Sequence, residues 1–335
     1  MRPAQTDKGA EPHAVRRPAA PTSDLAAQPA PKLLLGLIGS GIQRSLTPAM
    51  QEEEALAQGL RLHYQLIDLD STGSGVGSGV QALPTLMSAA RTMGFAGLNI
   101  TYPCKQAVIP LLDDLSEEAR AMGAVNTVVI RGGQLIGHNT DGSGWAWGFR
   151  RALPHADLAH VVLLGAGGAG SAIAHAVLRL GAQRLVIVDP EAARAQAVAT
   201  TLNKLFPAEQ GAAPGAAIGA ERGAARVSAA TDPAAALRGA TGLIHATPTG
   251  MKKHPGMPLP EALLRPDLWV AEIVYFPIET ELLRAARARD CATVHGGTMA
   301  VGQAVGAFEL FTGRQADAAR MEVHFASLIA RGDSE

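Results

Sequence analysis

Six consecutive residues, Gly165, Ala166, Gly167, Gly168, Ala169 and Gly170, fit the spacing G-x-G-x-x-G. Such a loop serves phosphate binding. The first glycine permits a tight turn, the second lets backbone approach a pyrophosphate, and the third lets a helix pack closely on its strand. In a chain with 37 glycines the spacing alone is weak. Its surroundings are stronger: it follows the apolar run Val161 to Leu164 and opens the helical stretch Ser171 to Leu180. A helix N-terminus there offers free N–H groups and a partial positive charge to phosphates.

The next apolar run, Leu185 to Val188, ends in Asp189, 19 positions beyond Gly170 and near the expected separation of roughly 20. A carboxylate there accepts hydrogen bonds from the ribose hydroxyls of NAD and repels the 2′-phosphate of NADP. No basic residue follows at once; the run is Pro190, Glu191, Ala192, Ala193. Arg194 is placed to reach the adenine side. The predicted cofactor is therefore NAD. A plainer role for Asp189, as cap of the following helix, is compatible with it.

In the first half, polar residues recur where apolar runs stop. These are Ser45 and Thr47 before Pro48, Asn99 to Lys105 after Gly97-Leu98, Asn126-Thr127, and Asn139 to Gly142. Each group taken singly reads as an N-cap, a turn or an Asx motif. Together they supply hydroxyls, amides, one amine and one carboxylate, a set suited to a small polyhydroxylated acid.

The elements that must position these groups follow from hydrophobic periodicity. Strands are expected at 33–38, 62–69, 96–100, 125–130 and 135–137, the last two as a hairpin turning at 131–134. Helices are expected at 48–58 and 83–93, and a short one at 107–112. Further strands fall at 161–164, 185–188, 225–228, 242–245 and 269–273, with helices at 171–180, 191–205, 300–311 and 316–328. This alternation argues for an α/β fold with a parallel sheet covered on both faces.

With the motifs in order, the chain resembles the shikimate dehydrogenase family, and especially its NAD-preferring quinate/shikimate dehydrogenase branch. The matching stretches include GLIGSGIQRSLTPAM, GLNITYPCKQAVIPLLDDLSEEA, GAVNTVV, GHNTDGSGW, GAGGAG, HATPTGM, IVYFPIETELLRAAR and GTMAVGQAVGAFELFTG, and they span Lys32 to Gly313. The resemblance implies two α/β domains around one cleft. An open-sheet substrate-binding domain would occupy 32–142 and a Rossmann NAD-binding domain 143–296. C-terminal helices at 297–331 would return to the first domain. It implies Lys105 and Asp141 as the catalytic pair. Ser45, Thr47, Thr101, Asn126, Tyr275 and Gln303 would bind substrate, with Asn99 supporting the loop. Thr247 and Met251 would lie on the cofactor's nicotinamide side. The implied reaction is reversible oxidation of quinate to 3-dehydroquinate or of shikimate to 3-dehydroshikimate with NAD. Lys105 would exchange the hydroxyl proton, or act as an electrostatic clamp while Asp141 shares that proton.

Four positions depart from the commonest family pattern. Thr47 replaces a serine, which resembles the quinate-accepting branch. Glu272 stands for the usual Asp and His245 for the usual Asn. Asp189 replaces the Asn-Arg pair of NADP-specific members. The alternatives are a biosynthetic NADP-dependent shikimate dehydrogenase and a catalytically silent NAD-binding regulatory paralogue.

Bulk properties agree. A length of 335 residues allows about two domains at roughly 150 residues each. Twenty-nine basic against 30 acidic residues give a net charge of −1, so no global field favours nucleic acid. Two cysteines exclude a disulfide scaffold. No metal-ligand spacing and no membrane-length apolar run is present. Residues 1–31, rich in Ala and Pro, read as a disordered tail, and 71–80 and 207–224 as loops. The expectation is a cytoplasmic enzyme, monomer or homodimer.

Overall fold

The computed structural model describes residues 32–71, 79–207 and 225–332. The expected tail at 1–31 and most of the two expected loops, at 72–78 and 208–224, lie outside the described residues.

The first sheet has the order β2-β1-β3-β5-β6-β4. Its strands are β1 (Lys32–Gly39), β2 (Arg61–Asp68), β3 (Gly97–Ile100), β4 (Asp114–Leu115), β5 (Thr127–Arg131) and β6 (Gln134–His138). β1 runs parallel to β2 and β3, whereas β5 is antiparallel to β3 and to β6. This mixed order has one consequence for chemistry. The ends of β1, β3 and β6 and the start of β5 share one sheet edge, so the segments holding Ser45, Lys105, Asn126 and Asp141 all open there. α1 (Thr47–Ala57), α2 (Leu83–Met93) and α3 (Glu117–Met122) complete this half.

The second sheet is wholly parallel, in the order β12-β11-β10-β7-β8-β9. It contains β7 (His160–Leu164), β8 (Arg184–Val188), β9 (Val227–Ala230), β10 (Gly242–His245), β11 (Trp269–Glu272) and β12 (Thr293–Val294). Every residue of β7 is buried because helices cover both faces. Val161 and Leu163 join the core under α5 (Gly168–Arg179) and α6 (Ala192–Leu205). Val162 and Leu164 join the opposite core with Ala236 of α7 (Pro233–Ala236) and Leu282 of α8 (Glu281–Ala288). Burying each such side chain contributes about 1.5–3 kcal/mol relative to exposure. The chain goes from β7 to one side and returns for β10 on the other, so a crevice opens between their C-terminal ends.

Two helices connect the halves. α4 (Asp141–Ala152) leaves the first sheet, and α9 (Gly297–Thr312) returns to cover it, with Phe311 and Ala307 packed on Leu35, Leu37 and Val129. α10 (Ala318–Gly332) packs beside α1 and α9 through Met321 and Phe325. α4 and α9 touch backbone to backbone. A Cβ on Gly144 would fall 2.5 Å from the Gln303 nitrogen, and Gly302 faces the Gly144 carbonyl in return. Only glycine fits either position.

α4 is the largest departure from the periodicity. The sequence suggests a turn at 139–142; the structure makes Asp141 the first residue of a 12-residue helix. Glycines at 142, 144 and 148 lower its helix propensity. Tertiary packing overrides this, with Trp145 stacked on Phe149 at 4.8 Å. The position between residues 142 and 143 lies inside this helix.

Candidate active site

Asp141 is the hub of the first half. It is buried, and each carboxylate oxygen is engaged. Lys105 Nζ sits 2.6 Å from Oδ2, while Gln303 Nε2 donates to Oδ1 at 2.7 Å and Asn126 Nδ2 donates to Oδ1 at 2.9 Å. The donors come from three directions: the loop after β3, the residue before β5, and α9. As the first residue of α4, Asp141 also meets the positive end of the helix dipole. Asn139 Oδ1 accepts from the Asp141 N–H at 2.9 Å, and Asn126 Oδ1 accepts from the Thr140 N–H at 2.8 Å, which fixes the helix start.

A second tier orients Asn126. Thr127 Oγ1 donates to its Oδ1 at 2.9 Å and accepts from Asn99 Nδ2 at 3.1 Å. Asn99 Oδ1 accepts from the buried Tyr64 hydroxyl at 2.7 Å. Burial pushes the Tyr64 phenol well above its ordinary value, so it stays a donor. Sequence reading missed Tyr64; a lone tyrosine in an alternating strand carries no chemical signal. Lys105 is about one-fifth exposed, its carbonyl tied to the Val125 N–H at 2.8 Å. Its neighbour Cys104 is fully buried, which pushes the thiol up to about 11 and leaves it unreactive.

The other expected substrate residues stand on the same edge or near it. Ser45 and Thr47 open α1, with Ser45 Oγ accepting from the Thr47 N–H at 3.3 Å. Their loop is anchored by Asp68, which accepts from the Gly41 N–H at 3.1 Å and from Gln43 Nε2 at 3.0 Å. Thr101 packs its methyl on Gly39 at the end of β1. Tyr275 lies apart from the Asp141 network, with its ring 6.4 Å from that of Phe325.

In the second half the glycine loop meets the geometry a pyrophosphate needs. Gly165 has φ +99°, a conformation L side chains rarely adopt, and a Cβ there would strike the Ala246 carbonyl. Gly167 caps α5, and open space lies where side chains on Gly167 and Gly168 would be. The helix starts at Gly168, three residues before the expected Ser171, so the motif's own N–H groups form its free first turn. These residues fit a dinucleotide. Asp189 is buried beside them. Its Oδ2 accepts from the Ala166 N–H and its Oδ1 from the Glu191 N–H, both at 2.9 Å. Arg194 pairs with Glu191 and stands 3.8 Å from Asp189 Oδ1. Across the crevice, Thr247 lies beside Gly165, and Met251 is exposed.

Comparison with known proteins decides the family. The chain is 55% identical over 295 residues to a shikimate dehydrogenase (NADP(+)) of Streptomyces avermitilis, covering 88% of this chain and 95% of the relative. The chain belongs to the shikimate dehydrogenase family. Within the family it is also 49% identical over 298 residues to a quinate/shikimate dehydrogenase (NAD(+)) of Corynebacterium glutamicum, covering 88% and 99% of the two chains. The family's substrate binding domain matches residues 37–128, and the shikimate 5'-dehydrogenase C-terminal domain matches 296–322. Among solved structures, the quinate dehydrogenase of Corynebacterium glutamicum in complex with NAD superposes with TM-score 0.78 at 45% identity, over 88% of this chain and 99% of that one. A shikimate dehydrogenase of Thermus thermophilus in complex with NADP(H) and shikimate gives TM-score 0.72 at 30% identity, over 88% and 99%. Family members of this fold thus include both NAD and NADP users.

Proposed function

We propose that this chain is an NAD-dependent quinate/shikimate dehydrogenase, oxidising one secondary hydroxyl of the ring acid to a ketone and running in reverse. The observation that carries the cofactor choice is the charge around Asp189. Two carboxylates, Asp189 and Glu191, outnumber the one guanidinium of Arg194, which Glu191 already holds. The cluster keeps a net negative charge where an adenosine ribose would lie. Ribose hydroxyls donate to such a site; a 2′-phosphate is repelled by it.

The bound nicotinamide supplies the hydride acceptor. The chain must orient the carbinol and handle its proton. Lys105 Nζ, 2.6 Å from Asp141, is the group placed to exchange the hydroxyl proton and to stabilise negative charge on that oxygen. Asp141 orients Nζ at the cleft; in oxidation the neutral amine takes the hydroxyl proton and becomes the ammonium, and in reverse the ammonium returns it to the carbonyl oxygen. Gln303, fixed through the same carboxylate, presents its remaining amide atoms to ring hydroxyls. Asn126 spends both N–H groups on Asp141 and Thr140 and its oxygen on Thr127 and the Thr140 N–H, so it serves the substrate by holding the Asp141 carboxylate in place. Ser45 and Thr47, at the start of α1, are assigned the carboxylate end of the substrate. Thr101 contacts the ring, Tyr275 flanks the pocket, and Thr247 and Met251 border the nicotinamide half.

A steady-state matrix of quinate and shikimate against NAD and NADP tests this. NAD should be preferred with either acid. Preference for NADP would instead support the biosynthetic reading, which the identity to the Streptomyces avermitilis enzyme favours. Binding of NAD without turnover of either acid would point to a regulatory role.

A further inference from the structure

The crevice between β7 and β10 has a buried polar wall that the mechanism above leaves unused. His245 ends β10, Glu272 ends β11, and the two are paired in register. Both are fully buried. Glu272 Oε1 accepts from the Ile273 N–H at 2.8 Å and the Val274 N–H at 2.9 Å, and its Oε2 accepts from Thr280 Oγ1 at 3.1 Å. Its remaining partner is His245 Nδ1, at 2.9 and 3.0 Å from the two oxygens. On the far side of the ring, His245 Nε2 lies 2.5 Å from Thr247 Oγ1. The Thr249 N–H also points to Thr247 Oγ1, at 3.3 Å.

The chemistry of these groups sets the proton positions. A carboxylate only accepts, so His245 Nδ1 must carry a hydrogen. In the neutral ring Nε2 is then an acceptor, and the Thr247 hydroxyl donates to it. That commits the only hydroxyl proton of Thr247 inward. Its oxygen already accepts from the Thr249 N–H, and one lone pair remains for the crevice. Thr247 is partly exposed there, beside Gly165.

We infer that His245 and Glu272 are positioning residues that fix Thr247 as a hydrogen-bond acceptor toward the nicotinamide half of the dinucleotide, whose carboxamide and ribose hydroxyls are donors. The inference rests on the dinucleotide reading of the crevice and adds a polarity to one wall of it. The ADP half is held elsewhere, by the glycine loop and Asp189. Disturbing the pair therefore acts on one half of the ligand only.

Glu272→Gln tests this almost without change of shape. The amide NH₂ would face His245 Nδ1 and drive the ring to the Nε2–H tautomer. Nε2 would then donate to Thr247, whose hydroxyl proton would turn toward the crevice. Calorimetry on the full chain at pH 8 compares NAD with ADP-ribose, which lacks the nicotinamide. For Glu272→Gln the Kd for NAD should rise about tenfold, the scale of one hydrogen bond, while that for ADP-ribose stays within about twofold. Histidine ¹⁵N spectra should show Nδ1–H at His245 in the wild type and Nε2–H in the variant. Thr247→Val, which removes the hydroxyl without touching the buried pair, should lose the same NAD-selective affinity with His245 still Nδ1–H. It keeps the test decisive where Glu272→Gln fails to fold. An unchanged ratio of NAD to ADP-ribose affinity in Thr247→Val, or an Nε2–H ring in the wild type, overturns the assignment. Failure of the wild type to bind ADP-ribose overturns the dinucleotide reading itself, and the assignment with it.

Discussion

Asp141 and Glu272 are both buried carboxylates, one opening a helix in the first half of the molecule and one ending a strand in the second, and they are held in opposite ways. Asp141 is satisfied by side chains: an amine and two amides from three separate segments. Glu272 takes two backbone N–H groups from its own loop, plus a threonine and a histidine that are themselves fixed. Backbone donors in a tight loop cannot be traded away. Side-chain donors at a cleft can be shared with an incoming ligand. The first arrangement suits reaction, and the second suits shape. A third carboxylate, Glu54, is intermediate: the Arg320 guanidinium clasps it at 2.8 Å through Nε and Nη2, and the Asp317 N–H joins at 2.9 Å.

The sharpest way to break this contrast is Lys105→Ala. It should lower kcat by about 10²–10⁴-fold, the scale of a lost proton-transfer group, while Tm falls less than in Glu272→Ala, because Asn126 and Gln303 still hold Oδ1 and water entering the space vacated at the cleft can reach Oδ2. Steady-state oxidation with NAD and a thermal melt check both halves of the statement. Near-normal turnover would remove Lys105 from the chemistry.

Glu272→Ala should behave in reverse. It strands two backbone N–H groups, a hydroxyl and the His245 ring in the core, at a cost of about 3 kcal/mol. Tm should fall by roughly 6–12 °C. A melt unchanged within about 2 °C would show that the loop relaxes to water and that the contrast is false.

Arg320→Ala probes the intermediate case and adds a pH signature. Burial raises the Glu54 carboxyl, but hydrogen bonds from Arg320, the Asp317 N–H and Gln58 more than offset this and hold it below its ordinary value. A carboxyl lowered in the folded state stabilises above its unfolded pKa, near 4.3 for Glu, and loses that contribution as pH falls through the folded value. The variant should be about 2 kcal/mol less stable at pH 7, and the gap should shrink below about pH 4. Urea titrations at both pH values measure it.

Gln303→Leu should have the smallest effect. Losing one amide donor from α9 should lower kcat/KM by about tenfold, mainly through KM.

How far the sequence could be read differs between the halves for physical reasons. The parallel sheet showed itself because strands covered on both faces are continuous apolar runs; Gly242 to His245 was delimited from the run alone. The glycine loop and Asp189 were legible because the spacing is local, within one strand-loop-helix unit. The Asp141 hub was legible only as scattered polar clusters and through family likeness, since Gln303 lies 162 positions from Asp141 in the chain. α4 and α8 went unread. α4 is glycine-rich for the sake of its neighbour, and the eight-residue α8 is brief. Glu272 left a signal, a lone carboxylate in an apolar run, but its partner His245 is 27 positions away and only strand register joins them.

The glycine contact between α4 and α9 works as a locating pin. Gly144 lies within one helical turn of Asp141, and Gly302 is the neighbour of Gln303. With the two backbones in touch, neither helix can press closer to the other without a main-chain clash. The bond from Gln303 to Asp141 is therefore gauged by main chain one turn away, and a methyl group at either glycine would be felt at the carboxylate that meets Lys105.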